Sequence, residues 1–185
     1  MRGLHRTRES LKYAARQKGF SLLEAMIAFA VISIGLLGIA KMQAVSINST
    51  KNSNSRSIAA LESASIASAM FANQSYWRNG TPPATLTVNK AVISDATLSA
   101  NTQDCAAGLC TPSQLASFDL RDWGTTLAAL LPAGTGQINC AQPAGGPVSC
   151  NVQILWQEKL VASNKATVAA SNAPTTLTFA LLVEP

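Results

Sequence analysis

Four cysteines, two close carboxylates, one histidine and one isolated glutamate are the side chains of this sequence with chemistry to offer. Cys105, Cys110, Cys140 and Cys150 can form disulfides or, as thiolates, hold a metal. Their C-x4-C and C-x9-C spacings do not resemble common zinc knuckles. Asp119 and Asp122 stand one helical turn apart, a spacing that would suit paired acid and base. Arg121 lies between them and no further catalytic partner accompanies them, so a solvated helix surface is the favoured reading. His5, the single histidine, lies in a basic stretch over residues 1–19. If that stretch is removed, Ser-His-Asp and Cys-His mechanisms and histidine metal sites go with it. The sequence also lacks a glycine-rich phosphate loop. We therefore read no catalytic, cofactor-binding or metal residues, no cofactor, and no enzyme. Glu24 is different: it is a lone carboxylate in an apolar run, which costs about 2.5–3.5 kcal/mol at a membrane helix centre and less near the interface.

Charge is segregated along the 185 residues. The net +5 belongs entirely to residues 1–19, which carry six basic side chains and Glu9. Residues 20–185 carry eight charges of each sign. Without the first stretch no net field is left to attract DNA, so no nucleic-acid partner is expected. Charged residues make up 12% and apolar ones 48%, a composition that excludes general disorder and hints that some apolar sequence lies in lipid.

That sequence is residues 20–40, FSLLEAMIAFAVISIGLLGIA. At about 1.5 Å per residue the run spans a hydrocarbon layer of roughly 30 Å. Basic residues cluster before it and only Lys41 follows closely, which places the N-terminus in the cytoplasm and the rest outside. The run is too long for a secretory signal peptide, and the helical pattern continues beyond it. A single helix of roughly 55 residues, about 80 Å long, is predicted, with Ile58, Leu61, Ile66, Ala69 and Met70 on one face. Asn48 to Ser57 is its weakest part, rich in residues of poor helix propensity.

From Gly80 the texture changes to short apolar runs between turn residues. Strands are predicted at Thr85–Ile93, Val148–Trp156 and Thr176–Val183, in an antiparallel sheet covered on one face by the second half of the long helix. Thr111, Pro112 and Gln114 start a further helix that Pro132 ends. Outside the cytoplasm, disulfides are expected, and four cysteines allow three connectivities. Cys105–Cys110 and Cys140–Cys150 are favoured, since each closes a short loop and the second brackets a Pro/Gly-rich turn.

The string Lys18-Gly19-Phe20-Ser21-Leu22-Leu23-Glu24, ahead of an apolar helix and behind a basic flank, resembles the class III signal of type IV pilins and pseudopilins. The resemblance implies that a membrane prepilin peptidase cuts between Gly19 and Phe20. It implies N-methylation of Phe20, and pairing of Glu24 with the Phe20 amine of a neighbouring subunit during assembly. Phe118-Asp119-Leu120-Arg121-Asp122-Trp123, then Leu130-Leu131-Pro132 and a strand ending Leu155-Trp156, are similar to the PilV family of type IV minor pilins. The implied fold is α+β and pilin-like: a long N-terminal helix packed on a small antiparallel sheet with one additional helix. The implied organisation is a leader over 1–19, a transmembrane and assembly helix over 20–40, a helix extension over 41–79 and a periplasmic head over 80–185. The implied function is a minor pilin supporting pilus biogenesis, twitching motility and adhesion. Its partners would be other minor pilins, the major pilin, the assembly platform and the inner membrane. A minor pseudopilin of type II secretion is the alternative.

Overall fold

The computed structural model describes residues 19–80, 82–143, 146–158 and 174–185. It divides into two compact units, up to Gln43 and from Ala44 onward, and helix α1 (Leu22–Ala72, 51 residues) runs through both. The predicted weak stretch does not break. Within it Thr50 and Ser57 hydroxyls donate to the carbonyls of Ser46 and Ser53, so side chains that could compete for the backbone bond back to the helix instead.

In the first unit no described residue covers α1. Each large apolar residue from Phe20 to Ile39 is at least 54% exposed. Burying each in an apolar medium is worth about 1.5–3 kcal/mol, so this segment needs lipid or other subunits. Midway along the run the Ser33 hydroxyl donates to the Phe29 carbonyl at 2.7 Å, which removes an unsatisfied polar group from the apolar surface.

In the second unit α1 buries Ala59, Ser63, Ile66, Ala67 and Met70, a single helical face. The predicted face differs at Leu61, which is exposed, because it lies on the far side of the turn from Ala59 and Ser63. Small residues let the helix approach closely, and the buried Ser63 hydroxyl is satisfied by the Ala59 carbonyl at 2.7 Å. After α1 come the short α2 (Gln74–Trp77), which buries Trp77, and β1 (Thr85–Asn89) with β2 (Val92–Ile93). There follow α3 (Ala96–Ala100), α4 (Pro112–Leu130), β3 (Thr135–Ala141), β4 (Ser149–Glu158) and β5 (Thr175–Val183).

The five strands form one antiparallel sheet in the order β2-β1-β3-β4-β5. The fold is thus the α+β, type IV pilin-like arrangement of a long apolar N-terminal helix, a small antiparallel sheet and further helices. Three details depart from the sequence reading. Thr85–Ile93 is a hairpin, not one strand, because Lys90 adopts φ 54° and turns the chain between Asn89 and Val92. β3, α2 and α3 are additional. The cover of the sheet is shared: α1 supplies one part and α4 the other, with Leu120, Trp123 and Leu127 buried in the same core as Val88, Ile138 and Ile154.

Candidate functional site

Two places gather the residues with chemistry: the start of α1 and the cleft between α1 and α4. At the first, Gly19 and Phe20 precede the helix and both are exposed, Phe20 to 86%. Among the described residues a side chain on Gly19 would meet nothing within 4 Å, so their packing does not demand glycine there. Helix α1 then starts at Leu22, with the Ser21 carbonyl accepting the Ala25 N–H at 3.2 Å. Glu24 lies in the first helical turn, where the unpaired N–H groups favour a negative charge. The result is a peptide bond open to another protein, a small residue on one side of it, and a carboxylate one turn further on.

The second place begins with a capping box. The Thr111 side chain accepts from the Gln114 N–H, and the Gln114 side chain accepts from the Thr111 N–H at 2.9 Å. This fixes the start of α4, and Asn73 at the end of α1 ties to it by donating to the Pro112 carbonyl at 2.7 Å. Further along, the indole N–H of Trp123 donates to the Glu62 carbonyl at 3.1 Å. Gly136 makes room for that indole: a Cβ there would come within 2.2 Å of the ring. Gly124 likewise lets α4 press against the Lys90 carbonyl and Val88.

Between the two helices a cleft of about 320 Å³ collects Glu62, Asp119 and Asp122, with Ser65, Ile66, Ala69, Trp123 and Thr126. Burial, and then the Asp122 charge, push the carboxyls of Glu62 and Asp119 above the usual range. Asp119 is therefore half-buried rather than on an open helix surface. Arg121 does not neutralise it, because its guanidinium donates to the Ser99 carbonyl at 2.9 Å and caps α3. Glu62 escapes a sequence reading, since it stands alone in α1 and meets Asp119 and Asp122 only through tertiary packing. The cleft is the seam between two helices, and its carboxylates belong to that seam.

The cysteines pair as Cys105–Cys110 and Cys140–Cys150. The first closes an exposed loop before α4, with Leu109 fully exposed at its tip. The second joins facing residues of β3 and β4. Trp156 is buried and its indole donates to the Glu158 carboxylate at 2.8 Å. Among the described residues no group of three or more His, Cys, Asp or Glu side chains is placed to hold a metal ion.

Residues 14–40 match the family model described as the prokaryotic N-terminal methylation motif. The match spans part of the basic flank, the Gly19–Phe20 junction and the apolar run. No curated protein matches the chain, and no solved structure does. The motif and the fold together support a type IV pilin-like protein, with a structural role as pilin or pseudopilin. The apolar N-terminal helix fits anchorage in the inner membrane. The finer resemblance, to the PilV family, has no support from these matches. Of the residues that carry it, Leu120, Trp123, Leu131 and Trp156 are buried core residues.

Proposed function

We propose that the chain is a minor pilin that enters or primes a type IV pilus and so supports pilus biogenesis, twitching motility and adhesion. One observation carries the reading: an exposed Gly19–Phe20 junction stands directly before an uncovered apolar helix with Glu24 in its first turn. In this reading residues 1–19 are a leader removed by the prepilin peptidase, and Phe20 is then N-methylated. Residues 20–40 anchor the subunit, with its N-terminus in the cytoplasm and its head in the periplasm. On assembly the same residues leave lipid for a bundle of neighbouring helices. Cleavage creates a new ammonium at Phe20. A Glu24 carboxylate from the adjacent subunit pairs with it, because two opposite charges in a poorly screened site attract strongly and neither is stable there alone. The disulfides suit an oxidising compartment. Other minor pilins, the major pilin and the assembly platform would be its partners.

Chromosomal Glu24→Ala tests the proposal. The variant should be cleaved, stay in the membrane and be lost from sheared fibres by tenfold or more. Unchanged incorporation would overturn the role given to Glu24. Secretion pseudopilins share the same N-terminal motif, so the subunits that co-purify decide between the two fibres. Recovery with pilus subunits supports a minor pilin, and recovery with type II secretion subunits assigns it to the pseudopilus.

A further inference from the structure

An antiparallel ladder satisfies only one side of its outermost strand. β5 is such a strand. Its residues pair with β4 from Cys150↔Val183 to Glu158↔Thr175, and among the described residues no strand pairs with its other side. The opposite border of the sheet is only the two-residue β2. Natural proteins blunt long edges with lysine, proline or a bulge. The β5 sequence, TTLTFALLV, has no charge, proline or glycine, and its register with β4 runs without interruption.

The core-facing side of β5 is also incompletely covered. Leu177, Phe179 and Leu181 alternate toward the core but stay partly exposed, whereas Trp156, Ile154 and Val152, their register partners on β4, are buried. Beside them runs a groove of about 400 Å³ lined by Arg56 of α1, Trp156, Leu177, Thr178 and Phe179. Arg56 is the one charged residue lining it among those described.

We propose that β5 is a docking edge for a strand of a different polypeptide. The incoming strand would present alternate apolar side chains over Leu177, Phe179 and Leu181, and a carboxylate to Arg56. Main-chain hydrogen bonds would supply affinity, and the groove and Arg56 would supply selection. A second copy of this chain fits poorly. Between Thr175 and Val183 it carries no carboxylate to meet Arg56. Such an edge would serve a pilus and a secretion pseudopilus alike.

Hydrogen–deuterium exchange on the full chain tests it, first purified alone in detergent micelles and then in native membranes with its partners. Alone, alternate β5 amides, those pointing away from β4, should exchange fast. In native membranes they should slow by about tenfold or more, with β1 and β2 unchanged. Arg56→Glu should abolish that slowing and leave exchange in β3 and β4 as it was. A photo-crosslinking residue at Thr178 then identifies the occupant. An adduct to an extended, alternately apolar segment bearing Asp or Glu supports the proposal. It is overturned if the amides are equally fast in both states. It is equally overturned if they are already slow in the isolated chain, which would mean the edge is covered by the chain itself. An adduct to β5 of a second copy, or no adduct, also overturns it.

Discussion

One helix, α1, carries two surfaces of opposite design. Residues 22–39 are apolar on every face but for Glu24 and Ser33, and their large side chains are exposed without regard to face. Residues 59–70 are mostly alanine and serine, and only Ala59, Ser63, Ile66, Ala67 and Met70 are buried. The first surface asks only for an apolar surrounding, which a bilayer or a bundle of like helices can supply. The second asks for one particular partner, because close approach through Ala and Ser works only against a surface of matching shape. A subunit that must leave a membrane for a fibre while keeping its head folded needs this division.

The two surfaces should therefore respond separately to mutation. Trp123→Ala removes a buried indole and its bond to the Glu62 carbonyl, and should lower head stability by about 3–5 kcal/mol. Phe29→Ala, on the other surface, should change it by less than about 0.5 kcal/mol. Denaturant unfolding of the full chain in detergent, read from head tryptophan fluorescence, measures both. If Phe29→Ala weakened the head as much as Trp123→Ala, the division would fail. Replacing Cys140 and Cys150 together by alanine should cost about 3 kcal/mol by the chain-entropy model and leave membrane insertion intact. Gly136→Ala, which drives a methyl group into the Trp123 ring, should cost about 1–3 kcal/mol in the same unfolding assay.

The smallest effect concerns the cleft carboxylates. The pKa values of Glu62 and Asp119 are raised in the folded head, by burial first and by Asp122 second. A carboxyl with a higher pKa folded than unfolded stabilises the fold in its protonated form. The contribution is full below the unfolded pKa and is lost as pH rises through the raised folded one. The head should thus be more stable in mild acid than at neutral pH. Both groups are partly solvated, so screening limits the gain from Glu62→Gln with Asp119→Asn at pH 7 to about 0.5 kcal/mol. Thermal unfolding across this pH range should show a flatter profile for the double variant.

Those residues also show where the sequence was legible. The α4 start was readable because Thr111, Pro112 and Gln114 form a local motif that needs no tertiary partner. β4 and β5 were readable because alternate apolar residues mark one face. β3 escaped because its core-facing positions are Gly136, Ile138 and Cys140, and Gly136 is small only to admit Trp123 from α4. The β1–β2 turn escaped because Lys90 and Ala91 occupy a position where glycine or asparagine would have announced it. α3 is too short for periodicity, although Asp95 caps it by accepting from the Leu98 N–H at 2.9 Å. At the start of α1 the Gly19, Phe20 and Glu24 pattern was readable because it is linear. The acidic cleft was not, because Glu62 meets Asp119 and Asp122 only when α1 and α4 pack.

The central claim is that the uncovered surface of α1 belongs to a processed pilin subunit. Intact mass spectrometry of the protein recovered from native membranes, with and without reductant, tests it most directly. The expected result is loss of residues 1–19, one added methyl group at Phe20 and a small mass gain on reduction of two disulfides. A full-length, unmethylated chain in cells with an active prepilin peptidase would contradict it.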